Sequence, residues 1–444
     1  MPQFYIKTFG CQMNDRDSEI MAQLLRQAGH RQCFAAAVAD IIVINTCSIR
    51  AKAEHKIISL LGAIRPLKTE KPDLVIAVTG CVAQQYGATL REKMPFVSLV
   101  VGTQQIYRIA ELVAMARKTP GLIADALDPS YQIPSFLPDA AALARGGPAS
   151  RFVTIMQGCN NFCAYCVVPY TRGREASRQA TDILAEVREL VDAGVSEITL
   201  LGQNVNSYGV ANQVGKNGYH FPDLLKDVAA LPGLRRLRFT TSHPKDLSDD
   251  LMRCFRDLPN LCPHLHLPLQ SGANPVLKRM NRKYSREDYL ELAEKLLAYQ
   301  PDLALSTDII TGFPSETDED FAKTIDMLET IRFHASFSFK YSDRPGTASA
   351  QFPDKIDEAI KGERLQIFQH RQDAISLERN REYVGKVAEI LVEKSDATTC
   401  SGRTPSNHLT HITLPENHGI TPGNFIAANI TGAGQHSLRG VMQP

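Results

Sequence analysis

The chain has 444 residues, 43% of them hydrophobic and 22% charged, with a formal net charge of +1. These values exclude a mostly disordered chain, and they exclude one drawn to nucleic acid by its global field. No apolar run approaches the ~20 residues of a bilayer span, and MPQFYIKTFG lacks the apolar core of a signal peptide, so the expected location is the cytoplasm, with no membrane partner.

In chain order, FYIKTFG (4–10), IIVINT (41–46) and LVIAVTG (74–80) are short β-rich runs, with helices predicted over 15–28 and 51–64 between them. Such alternation predicts a parallel α/β domain over 1–118. Residues 119–144 hold several prolines and no periodicity, and they read as a linker. A second alternating region, 145–377, has six strand candidates: RFVTIM (151–156), EITLLG (197–202), RLRFTT (236–241), HLHLPL (264–269), LALSTDII (303–310) and ASFSFKY (335–341). Six βα units predict a partial (β/α)6 barrel. The segment 378–442 reads as a small antiparallel β-barrel. The fold class is therefore α/β with a β-barrel appended.

Ten cysteines are too sparse for a disulfide scaffold, and in a reducing compartment clustered thiols serve metals or chemistry. Cys159, Cys163 and Cys166 form a CxxxCxxC directly after the first predicted barrel strand, at the end where barrel sites form. Thiolates are the usual ligands of iron–sulfur clusters, and three of them leave one iron of a cubane open. A structural zinc site is the other use of such thiols, but it favours four ligands, and no fourth cysteine or paired histidine lies nearby in sequence. Cys11, Cys47 and Cys81 each end a predicted strand, 36 and 34 residues apart. Ends of parallel strands share one sheet edge, where ligands bind. Three buried apolar thiols are the competing reading. Cys33, Cys254, Cys262 and Cys400 follow no such pattern and read as packing or surface residues.

The cysteine loop GCNNFCAYCVVPYTRGREASR (158–178) resembles that of the radical S-adenosylmethionine (SAM) superfamily. TFGCQMNDRDSE (8–19), NTCSIR (45–50) and TGCVAQ (79–84) extend the resemblance to the methylthiotransferases, as do LGQNVNSYG (201–209), TSHP (241–244), LPLQSGANPVLKRMNR (267–282), STDIITGFPSET (306–317) and YSDRPGT (341–347). It covers essentially the whole chain. GCQMN and CVVPYTRG are similar to the branch acting on prenylated tRNA, whereas the branch acting on a ribosomal protein reads GCPKN. Arg174 stands where some members carry Glu.

The resemblance implies an N-terminal methylthiotransferase domain, a radical SAM core and a C-terminal TRAM domain. It implies two 4Fe-4S clusters, an auxiliary one on Cys11, Cys47 and Cys81 and a radical one on Cys159, Cys163 and Cys166. Two SAM molecules per turnover are implied. One methylates a sulfur on the auxiliary cluster, and the other yields the radical that opens the C–H bond at adenine C2. The implied product is 2-methylthio-N6-isopentenyladenosine at position 37 of tRNA, beside the anticodon. Tyr165 matches the position beside the SAM adenine. Gly202, Gln203, Asn204, Ser271, Gly272, Thr307 and Asp308 are candidate SAM contacts, although such residues also favour turns and caps. Gln12 and Asn14 are candidates near the base, with an N-cap role for Asn14 as the alternative. Lys278, Arg279, Arg282, Lys283 and Arg286 form a basic run that meets phosphates or coats a solvated helix. The implied partners are a tRNA anticodon stem-loop carrying isopentenyladenosine, an electron donor of flavodoxin type and an iron–sulfur assembly or repair protein. Competing functions are a methylthiotransferase of a ribosomal-protein aspartate and a non-enzymatic iron–sulfur protein that binds RNA or senses redox state.

Overall fold

The computed structural model describes residues 1–48, 51–139, 149–210, 218–416 and 418–443, with backbone alone for 51–55. The end of NTCSIR and residues 140–144 of the expected linker lie outside the described residues.

The N-terminal layer is a six-stranded parallel sheet built from β1 (Gln3–Thr8), β2 (Arg31–Gln32), β3 (Ile41–Thr46), β4 (Val75–Gly80), β5 (Leu99–Val101) and β6 (Leu122–Ala124), in the order β2-β1-β3-β4-β5-β6. Every residue of β3 and β4 is buried, as a sheet covered on both faces requires. Side chains alternate between two cores. Ile41, Val43, Val75 and Ala77 pack with helices Gln12–Gln27 and Ile109–Lys118. Ile42, Ile44, Ile76 and Val78 pack with helices Ala51–Glu70 and Cys81–Lys93. The two helices predicted at 15–28 and 51–64 are therefore present. The first starts three residues earlier and the second runs to Glu70. Residues 122–124, assigned to the linker by their prolines and lack of period, instead form β6 and pair with β5.

The central unit begins with β7 (Ser150–Thr154), then β8 (Met156–Gln157), β9 (Ala176–Ser177), β10 (Glu197–Leu201), β11 (Arg236–Thr240), β12 (His264–His266), β13 (Ala304–Thr311) and β14 (Ala335–Lys340). β7, β10 and β11 pair in parallel, as do β12, β13 and β14, and a parallel bridge between Leu237 and Leu261 joins the two sets. Six parallel strands thus curve into the expected partial barrel. RFVTIM splits into β7 and β8, and β8 pairs antiparallel with β9. HLHLPL pairs only over three residues, because Pro268 offers no N–H to a ladder.

The helix Glu358–Arg381 leads into β15 (Val387–Ser395), β16 (Thr399–Arg403), β17 (Leu409–Thr413), β18 (Phe425–Ala433) and β19 (Leu438–Met442), a closed barrel in the order β15-β16-β17-β19-β18. The helix runs past residue 377, where the central region was expected to end. Its buried polar stripe explains the difference: Gln372 donates to Phe333 O, Ser376 to His334 O and Asn380 to Gly434 O. This barrel seals the strand-start end of the central unit. Arg236 donates to the carbonyls of Arg403 and Glu389, and Arg238 to those of Thr404 and Pro405, at 2.8–2.9 Å.

Candidate functional site

Two thiol triads stand at the strand ends that face each other across the first two units. Cys11 follows β1 and caps the helix Gln12–Gln27, Cys47 follows β3, and Cys81 follows β4 as the first residue of its helix. Since β1, β3 and β4 are neighbours, three residues distant in sequence share one edge. The Cys47 side chain is within hydrogen-bonding reach of Cys11. With Arg172 beside it, this outweighs burial and lowers the Cys11 pKa to about 6. Burial raises the Cys81 pKa, and Arg172 opposes it. Gly10 makes the turn into this edge at φ +122°, and a Cβ there would strike Cys47.

The second triad lies in the loop between β8 and the short helix Val168–Thr171. The turn after the helix Asn274–Arg279 holds that loop. Asn281 donates to Phe162 O at 2.8 Å, Ala164 N to Met280 O at 2.9 Å, and Arg282 Nη1 to Cys163 Sγ at 3.3 Å. Gly158 N donates to Gln203 Oε1 at 2.6 Å, and Arg174 lies over the Phe162 ring. Burial raises the Cys159 pKa to about 11 and that of Cys166 to about 12, so a metal binding there must displace protons. Among the described residues no three His, Cys, Asp or Glu side chains are grouped to hold one metal ion.

The barrel mouth beside this loop is short of hydrogen-bond partners. Asn204 Oδ1, Ser242 Oγ, His243 Nε2 and Gln270 Oε1 are buried without one among the described residues. Buried polar atoms are normally paired. Four orphans at the strand ends therefore suit a polar ligand rich in donors and acceptors, as SAM is. Thr241 and Gln270 hold φ of +71° and +73° there. Such strain in a β-branched and a long residue clusters at ligand sites. Burial, helped by the nearby charges of Arg282 and Lys245, lowers the His243 pKa to about 2, so the ring is neutral.

The expected SAM residues divide. Gln203 meets the cysteine loop, Asn204 donates to Asp246 at 2.7 Å, and the Tyr165 ring is edge-on to Phe313. Asp308 pairs with His266 at 3.4 Å, and the His266 ring also meets Phe337, which is 53% exposed. Ser271, Gly272 and Thr307 are tied into the fold: Ala273 N donates to Ser271 Oγ, Gly272 N to Thr324 Oγ1, and Thr307 Oγ1 to Leu267 O. Asn14 is not the N-cap, a place taken by Cys11. It donates to Phe9 O and accepts from Arg172. Gln12 opens the helix beside Cys11 and is exposed.

The basic run does not form one surface. Lys278 and Lys283 are exposed, Arg286 pairs with Asp326, Arg279 lies over Phe352, and Arg282 is buried against Cys163. Sequence reasoning missed Arg172, Asn281 and His243 as site residues, although each lies within or beside a quoted motif. Cys33, Cys254, Cys262 and Cys400 are buried in the apolar cores or beside them.

Comparison with known proteins identifies the family. Residues 3–102 match the model of the uncharacterized protein family UPF0004, and residues 153–328 match the radical SAM superfamily. The tRNA-2-methylthio-N(6)-dimethylallyladenosine synthase of Desulfotalea psychrophila is 54% identical over 98% of both chains. The synthase of the same name from Syntrophus aciditrophicus is 46% identical over 99% of this chain and 94% of its own. Among solved structures, a radical SAM methyltransferase, TsrM from Kitasatospora setae with cobalamin and a 4Fe-4S cluster bound, superposes with a TM-score of 0.56 at 15% identity, over 79% of this chain and 77% of that one. That likeness speaks for the fold alone.

Proposed function

The chain belongs to the tRNA-2-methylthio-N(6)-dimethylallyladenosine synthase family, a radical SAM enzyme family that methylthiolates tRNA, and from that premise we propose which of its residues serve the reaction. Cys159, Cys163 and Cys166 hold the cluster at which SAM binds, and Cys11, Cys47 and Cys81 hold the auxiliary cluster. The observation that carries this assignment is the convergence of two thiol triads at facing strand ends, each beside a buried arginine. When bound, SAM on the first 4Fe-4S cluster supplies the radical, and the auxiliary 4Fe-4S cluster supplies the sulfur.

The chain's own work is to bind, orient and shield. Gln203, Asn281 and Arg282 fix the cysteine loop. The orphaned groups of Asn204, Ser242, His243 and Gln270 are the proposed partners of SAM, together with Tyr165 and Asp308. Gly202, Ser271, Gly272 and Thr307 shape that wall through backbone and buried hydrogen bonds. Gln12 and Asn14 flank the auxiliary triad on the side where the base must approach. Phe337, exposed on β14, offers apolar surface for a prenyl group.

The substrate site is adenosine 37, carrying the isopentenyl group, in an anticodon stem-loop. A loop base can be splayed out and reached at its edge. The C-terminal barrel acts as a TRAM domain that adds RNA affinity. A flavodoxin-type donor supplies the electron, an iron–sulfur assembly or repair protein restores the sulfur, and the cytoplasm is the site of action. No helix among the described residues is long and apolar enough to cross a membrane.

Nucleoside mass spectrometry of tRNA from cells with and without this protein tests the reading. Loss of 2-methylthio-N6-isopentenyladenosine, with its unthiolated precursor accumulating, is expected. Unchanged nucleosides, or turnover confined to a ribosomal protein, would overturn it.

A further inference from the structure

Arg172 belongs to the barrel by chain position but to the N-terminal unit by contact. It follows the short helix Val168–Thr171, six residues after Cys166. Its side chain is 3% exposed, and Nη2 donates both to Asn14 Oδ1 at 2.9 Å and to Asp17 Oδ2 at 2.8 Å. Both acceptors lie on the helix that Cys11 caps. The other terminal nitrogen, Nη1, is buried with no acceptor among the described residues. Burial disfavours the guanidinium's charge, but Asp17 and then the Cys81 and Cys11 thiols more than offset this and hold its pKa above the ordinary value.

A purely structural arginine–carboxylate pair commonly uses two nitrogens against two oxygens. Here both acceptors crowd one nitrogen, and Nη1 is left without an acceptor while the guanidinium stands beside the Cys11 and Cys81 thiols. A buried unused donor is costly unless something accepts from it. The group expected at this edge is a cluster held by three thiolates. It is anionic, its sulfurs accept hydrogen bonds, and it gains negative charge on reduction.

We propose that Arg172 is a positioning residue that reaches across the domain boundary and donates its free Nη1–H to the sulfur of the cluster on Cys11, Cys47 and Cys81, raising that cluster's reduction potential and registering it against the barrel. This rests on the assignment of that triad as cluster ligands. The arginine is supplied by the segment that also carries the SAM-site cysteines. The auxiliary site is therefore complete only when the two units are docked.

The test uses the full chain with Cys159, Cys163 and Cys166 replaced by Ala, so that only the auxiliary cluster remains. Iron analysis of that parent comes first. About four irons per chain are expected, and none would refute the ligand assignment rather than the role of Arg172. Potentiometric titration followed by electron paramagnetic resonance then compares Arg172→Lys and Arg172→Gln with the parent. Arg172→Gln should keep its iron, lower the midpoint potential and change the spectrum, and Arg172→Lys should recover most of the potential. Because Arg172→Gln leaves Asp17 buried without its partner, Asp17→Asn is measured alone and combined with Arg172→Gln. A lower potential in the combination than in Asp17→Asn alone supports the proposal. Equal potentials and spectra in those two variants, even with altered thermal stability, would reduce Arg172 to a domain tie and overturn it.

Discussion

Arg282 donates from Nη1 to Cys163 Sγ at 3.3 Å, although 119 residues separate the two in sequence. Its other nitrogens are also committed, Nε to Tyr284 Oη at 2.9 Å and Nη2 to Pro268 O at 3.0 Å. The guanidinium is thus locked beside the triad of Cys159, Cys163 and Cys166 by three different acceptors. Lysine keeps the charge but cannot make this planar set of bonds. Arg282→Lys is expected to retain about eight irons per chain yet cleave SAM at least ~10-fold more slowly, in line with loss of a hydrogen bond to a charged group at ~1.5–3 kcal/mol. Quantifying 5′-deoxyadenosine from the reduced, iron-loaded variant checks this, and a rate equal to the parent's would contradict it.

The two triads predict separable losses. Anaerobically loaded protein should hold about eight irons, and Cys163→Ala and Cys47→Ala about four each. Cys163→Ala should form no 5′-deoxyadenosine. Cys47→Ala should still form it, while yielding no methylthiolated nucleoside. Equal loss of cleavage in two folded variants would mean that the sites are not independent.

Gly10 turns the chain at φ +122° immediately before Cys11, against the side chain of Cys47. Gly10→Ala adds both strain, ~1–3 kcal/mol, and a clash with the Cys47 side chain. The expected outcome is loss of about half the iron, with SAM cleavage retained. Iron analysis beside the cleavage assay reads it, and a fully loaded variant would show that the turn tolerates a side chain.

Glu186 is fully buried between Arg16 of the N-terminal helix and Arg178 of the barrel, with a 2.6 Å bond to the latter. Glu186→Gln keeps the shape and one acceptor oxygen but leaves buried Arg178 without a carboxylate and Arg16 with Glu19 alone, a cost of ~3–5 kcal/mol. A clear fall in the urea midpoint is expected. A change under ~1 kcal/mol would mean that water or another acceptor compensates.

His334, just before β14, and His408, between β16 and β17, place their rings 5.7 Å apart across the junction with the C-terminal barrel. Burial lowers His334 to about 3, assisted by His408 and Arg379, and burial lowers His408 to about 4. Above pH ~6.5 both rings are neutral whether folded or unfolded, and stability is unaffected. Below it the unfolded chain binds protons that the folded chain refuses. Stability therefore falls as pH drops toward 4, by up to ~2 kcal/mol per histidine at pH 5. Thermal melting between pH 7.5 and 4.5 should show the decline, and His408→Gln should flatten it. Identical profiles would place the acid sensitivity elsewhere.

The parts of the fold that sequence exposes are those with strong, uninterrupted patterns. IIVINT and VIAVTG are β-rich and wholly buried, so their ends, and with them Cys47 and Cys81, were legible. β5 and β6 have only three residues each and leave no period to detect. Arg282 was grouped with a run read as meeting phosphates or coating a solvated helix, because a charge count carries no direction. Asn281 takes φ +60° just after the helix, and Arg282 lies buried against Cys163 rather than on the helix surface. Arg172 stayed hidden because its partners, Asn14 and Asp17, lie 158 and 155 residues away.

The seal at the foot of the central unit has a consequence for inheritance. Arg236 and Arg238 each grip main-chain oxygens of the C-terminal barrel, those of Glu389, Arg403, Thr404 and Pro405. A grip on carbonyls reads the course of the chain and not its spelling. The loop at 403–405 is therefore free to drift in sequence while its path is kept, whereas Glu389 and Phe425, whose side chains Arg236 also meets, are not. Cutting the chain at 377 is a different matter. It removes the end of a packed helix and leaves two buried cations facing an unplugged hole, so the loss it causes would report on the stopper as much as on any grip on RNA.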